Sequence, residues 1–126
     1  MTKEIVKTNR YSVTIIETDI VHIRFAEAIC IEIEDVKATF DIYQELSEAQ
    51  DRKIMVEFPD HTTITSEARE HGQAAEINAD AEAFVITTLA QRILARFFKT
   101  FHKKKHPFKI FMNKEEALTW LINYKK

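Results

Sequence analysis

One glycine, one cysteine and two prolines occur in 126 residues. Average usage of ~7% would supply about nine glycines. The phosphate cradles GxGxxG and GxxxxGK(S/T) each need several, so Gly72 alone excludes both. Cys30, without a second cysteine, makes neither an internal disulfide nor a thiolate zinc site. Long apolar runs are missing too. The longest stretch without a charged residue, 83–91, has nine residues, whereas a spanning helix needs ~20 apolar ones. The opening MTKEIVKTNR is polar and lacks the apolar core of a secretory signal, which leads us to expect a cytoplasmic protein. What is present suits a folded domain: 45% hydrophobic and 30% charged residues bury a core in water. At this length, 1–126 is expected to be one domain, with residues 1–10 a loose N-terminal segment.

Charge is unevenly placed. Residues 1–90 hold 8 Lys/Arg against 18 Asp/Glu, a balance of −10, and residues 91–126 hold 10 against 2, a balance of +8. The two parts therefore attract each other, a partner, or both.

Hydrophobic periodicity sets out the elements. Tyr11, Val13 and Ile15 alternate with polar neighbours, as do Val21, Ile23 and Phe25 against His22 and Arg24, which predicts an antiparallel hairpin. Over 33–49 the period changes, with Val36, Phe40, Tyr43 and Leu46 three or four apart, as in an amphipathic helix. KIMVEF at 53–58, closed by Pro59, reads as a buried strand, and a second helix starts near Ser66. AFVIT at 83–87 is a further strand. A helix from Leu89 to about His102 follows, with Ile93, Leu94, Phe97 and Phe101 opposite Arg92, Arg96, Lys99 and Lys103. FKIFM at 108–112 is the last strand, and Asn113 with Glu116 has the spacing of a helix cap. The order β-β-α-β-α-β-α-β-α implies an α/β domain with a mixed five-stranded sheet and four helices.

That order, with HIRF at 22–25, ITSEAREH at 64–71, ARFF at 95–98, HPFKIF at 106–111 and EEALTWL at 115–121, resembles the STAS domain. A closer likeness is to a group of small uncharacterised bacterial proteins described as STAS/SEC14-like or of sporulation anti-anti-sigma type. The resemblance implies a STAS-like fold and a non-enzymatic regulatory or interaction module. In anti-anti-sigma domains a phosphorylatable serine stands in Asp-Ser-x-Gly after the third strand. Here Ser66 takes its place, while Thr65 and Ala68 replace the aspartate and the glycine. Thr65 or Ser66 also suits a plain N-cap, and Glu67 and Glu70 would oppose a phosphate there.

Other residues carry candidate chemistry. Asp60, His61, Thr62 and Thr63 form a polar loop that a parallel sheet would place at strand carboxyl ends, where ligands bind. Asp60 and His61 are a conceivable acid/base pair, without a nucleophile or metal ligand beside them. Ala68, Gly72, Ala75 and Ala79 line a small-residue strip on one helix face, suited to close packing. His102 and His106 are spaced i, i+4 like helical zinc ligands, but three lysines separate them and a third ligand is lacking, so no metal is expected. Cys30 reads as a small buried residue. Arg92, Arg96, Lys99, Lys103, Lys104 and Lys105 form a stripe able to meet phosphates of nucleic acid or an anionic membrane.

The leading expectation is a module that binds a protein partner or small ligand near 59–66, with no cofactor. Anionic-surface binding through the 92–105 stripe and a small enzyme using Asp60 and His61 are the alternatives. A homodimer would neutralise the charge asymmetry as well as intramolecular packing would.

Overall fold

The computed structural model describes residues 2–48, 50–75, 77–88 and 106–125. Among them are eight strands, β1 (Thr2–Lys7), β2 (Tyr11–Ile16), β3 (Ile20–Phe25), β4 (Cys30–Ile31), β5 (Lys53–Phe58), β6 (Thr63–Ile64), β7 (Glu82–Ile86) and β8 (Phe108–Phe111), and three helices, α1 (Ile33–Ser47), α2 (Ser66–Ala74) and α3 (Lys114–Asn123). Six strands form one sheet in the order β1-β2-β3-β5-β7-β8, and β4 pairs with β6 separately. β1, β2 and β3 run antiparallel, while β3, β5, β7 and β8 are mutually parallel. No helix among the described residues is long and apolar enough to cross a membrane.

Strand alternation divides the core between the two sheet faces. Val13 opposes Ile23, and Val21 and Ile23 stand beside Ile54 and Val56. These residues pack with Val36 and Tyr43 of α1 and Ala68 of α2. The other face carries Ile20, Met55, Ala83 and Val85 against Ala117 and Leu121 of α3. Each fully buried aliphatic side chain contributes roughly 1.5–3 kcal/mol. Phe25, Phe58, Phe84 and Phe108 form a diagonal across four strands, with centroids 5.7, 5.2 and 4.8 Å apart.

Local chemistry sets the helix limits. Glu32 and Asp35 form a reciprocal capping box at the start of α1. Arg10 grips both Asp35 oxygens at 2.8 Å and donates to the Cys30 carbonyl at 2.7 Å, tying β4 and α1 to the end of the β1–β2 turn. This guanidinium holds the Asp35 carboxyl below the usual carboxylate range. Asn113 Oδ1 accepts from the Glu116 N–H at 2.8 Å and caps α3 as its spacing predicts. The last turn of α3 has no basic residue. Instead buried Lys53 reaches over from β5, donating to the carbonyls of Leu121 at 2.5 Å and Tyr124 at 3.0 Å.

The expected count of five strands and four helices needs correction. The sheet has a sixth strand, because Thr2–Lys7, placed in the loose first ten residues, pairs with β2 and packs Val6 on the core. Three helices are described, and the helix expected over 89–102 lies outside the described residues. α2 ends at Ala74, so Ala75 is its C-cap and Ala79 reaches the core from the following loop instead of extending the strip. Cys30 is exposed on β4 at the rim, not buried. Glycine scarcity leaves Glu17, Ala28 and His61 in left-handed backbone, at φ 59°, 58° and 63°.

Candidate functional site

The polar loop after β5 lies at the carboxyl ends of the parallel strands and is pinned on three sides. The Thr62 N–H turns back to the Pro59 carbonyl at 3.3 Å, and the Thr62 hydroxyl donates to the Ala26 carbonyl at 3.2 Å. The Thr87 hydroxyl, just past β7, donates to Asp60 Oδ1. The Thr63 and Thr65 N–H groups donate to Ile29 and Ile31, which makes the short β4–β6 pairing. The loop is thereby held against the 26–31 segment.

The residues expected to act here separate into two groups. Thr62 is buried and Thr63 is a strand residue, so Thr62 is part of the support. Asp60 and His61 are exposed, but the Asp60 carboxylate is engaged by Thr87 and His61 occupies a left-handed position. Thr65 is the cap of α2, its Oγ1 accepting from the Ala68 N–H at 3.1 Å. Ser66 is therefore released from capping and stands exposed at the first helical position, beside exposed Glu67 and Glu70. Among the described residues, β3, β5, β7 and β8 succeed one another in chain order, without the reversal that opens a ligand crevice in doubly wound folds. Arg92, Arg96, Lys99, Lys103, Lys104 and Lys105 lie outside the described residues, as does His102.

Two carboxylate–histidine pairs were not anticipated. His22 Nε2 donates to Glu57 Oε1 at 2.9 Å on the α3 side of the sheet, and Arg24 Nε lies 3.5 Å from the other Glu57 oxygen. The His22 hydrogen bond holds the Glu57 carboxyl below the usual carboxylate range against the opposing effect of burial, aided by the charges of Arg24 and Lys114. On the opposite side His106 Nε2 stands 2.8 Å from Oε1 of fully buried Glu82. His106, which the sequence pairs with His102 by helical spacing, is packed onto this core carboxylate. Tyr43, whose hydroxyl donates to the Asn78 carbonyl at 2.7 Å, has its phenol pKa raised mainly by burial. The available signal for the first pair was that His22 and Glu57 occupy polar positions of two expected strands; adjacency of those strands would have joined them.

A family model described as "Domain of unknown function (DUF7793)" matches residues 14–125. No curated protein matches the chain. Among solved structures, the crystal structure of an uncharacterised protein from the DUF3478 family with a SpoIIAA-like fold, from Shewanella loihica PV-4, superposes with a TM-score of 0.61. It is 13% identical, and the likeness covers 96% of this chain and 95% of that one. The fold is thus SpoIIAA-like, that is, STAS-like.

Proposed function

The chain belongs to the DUF7793 family of unknown function, and we propose that it is a non-enzymatic regulatory module that binds a protein partner through the loop 59–65 and the first turn of α2. The observation that carries this reading is the division of labour between neighbours: Thr65 caps the helix, and Ser66 is left exposed beside it. Asp60, His61, Glu67 and Glu70 complete an exposed polar surface on a pinned loop, the preorganised arrangement that lowers the ordering cost of docking. A phosphate on Ser66 would meet the positive end of the α2 dipole and the opposing charges of Glu67 and Glu70. Its effect would then fall on the docking surface.

The test is affinity capture from lysate of the source organism at low and moderate salt, with wild-type, Ser66→Ala and Ser66→Glu baits. A discrete protein retained at both salts by wild type and Ser66→Ala, and lost from Ser66→Glu, supports the reading. Retention unaffected by Ser66→Glu, His61→Ala and Glu67→Lys refutes it.

A further inference from the structure

A second surface, remote in sequence from the α2 loop, has the chemistry of a ligand site. Phe111 of β8 and Trp120 and Tyr124 at the end of α3 line a surface groove of about 720 Å³. Phe111 and Trp120 have centroids 5.7 Å apart at 45°, and Trp120 and Tyr124 have centroids 5.9 Å apart at 48°. The rings are tilted and not laid face to face. Glu115 and Glu116 line the groove from the first turn of α3, and Lys125 lines it beyond the helix end.

The ligand class follows from this lining. Two carboxylates against one ammonium favour a cation over an anion. Aromatic walls favour a cation whose charge is dressed in apolar groups, because a bare ammonium is strongly hydrated. Trp120 already shows the affinity concerned: the Lys109 Nζ, which does not itself line the groove, lies 5.7 Å from its ring centroid. We infer that the Phe111–Trp120–Tyr124 groove binds a small methylated ammonium compound, its charge shared between the rings and the Glu115 and Glu116 carboxylates.

Trp120 is the sole tryptophan, so its fluorescence reports on the groove directly. The full chain is titrated with choline and with its neutral isostere 3,3-dimethylbutan-1-ol, and saturation transfer to the choline methyl protons is recorded in parallel. Choline should saturate the fluorescence change and receive magnetisation, and the isostere should bind at least about tenfold more weakly. Glu116 and Lys109 are both exposed, so Glu116→Gln and Lys109→Gln leave the packing intact. Their effects have opposite signs: Glu116→Gln weakens choline about threefold or more, while Lys109→Gln tightens it by removing a competing cation from the Trp120 ring. Absence of both signals, equal binding of choline and isostere, or equal affinity in wild type and Glu116→Gln overturns the assignment.

Discussion

His22 on β3 and Glu57 on β5 are 35 residues apart in sequence, yet their side chains meet at 2.9 Å on one face of the sheet. Glu57 is 19% exposed and His22 7%, so this hydrogen bond is poorly screened. The Glu57 carboxyl titrates lower folded than unfolded. Its stabilisation is therefore full above the unfolded carboxylate pKa and is lost as pH falls through the folded value.

Glu57→Gln should accordingly cost about 1–2 kcal/mol at neutral pH and flatten the fall in stability as pH drops through and below the ordinary carboxylate range. Asp35, likewise held low by Arg10, keeps part of that slope in the variant. Urea midpoints measured across this range check the expectation, and an acid slope identical to wild type would contradict it.

Lys53→Met removes the two hydrogen bonds that close the last turn of α3 and the 3.6 Å ion pair with Asp19. The methionine fills much of the space, so the loss is chiefly of partners for the Leu121 and Tyr124 carbonyls, about 1–3 kcal/mol. Chemical denaturation followed by Trp120 fluorescence should show an earlier transition. A midpoint equal to wild type would mean that water replaces the lysine without cost.

The chain keeps its single glycine where a helix least favours it and places other residues where glycine fits. A Cβ on Gly72 would meet Val36 Cγ1 at 3.9 Å, ordinary contact, so Gly72→Ala should stabilise α2 by about 0.5–1 kcal/mol. At Ala28, φ 58° carries strain of about 1 kcal/mol that glycine relieves, offset in part by the added freedom of the unfolded chain. Ala28→Gly is expected to be neutral or slightly stabilising by thermal melting. Destabilisation by Gly72→Ala would show that α1 and α2 depend on closer approach than this contact requires.

The parts of the fold legible in the sequence were those whose signal is local. KIMVEF before Pro59 is β5, the spacing of Val36 and Tyr43 follows the buried face of α1, and Asn113 caps α3. Elements defined by distant partners were silent. β1 is mostly exposed, so its few inward residues make no visible alternation, and β4 and β6 have two residues each and exist only through pairing of Cys30 with Thr63. The same limit hid His22–Glu57 and His106–Glu82, which sheet register and tertiary packing bring together. In the loop, residue types drew attention to Asp60, His61 and Thr62, but only the fold separates exposed His61 from Thr62 buried on the Ala26 carbonyl.

Thr65 and Ser66 are neighbours of similar chemistry with different duties, and this separates stability from recognition. Thr65→Ala removes the side-chain acceptor of the Ala68 N–H and should cost about 1 kcal/mol, seen as a lower urea midpoint. Ser66→Ala removes an exposed hydroxyl that does not cap α2 and should leave the midpoint within about 0.5 kcal/mol of wild type. Ser66→Glu adds a negative charge near the helix N-terminus, where the favourable dipole and the opposing Glu67 and Glu70 nearly cancel, so its midpoint should also stay close to wild type. Partner loss by Ser66→Glu alongside an unchanged midpoint would then belong to the surface and not to unfolding. A midpoint shift in Ser66→Ala as large as that in Thr65→Ala would instead show that the serine shares the cap.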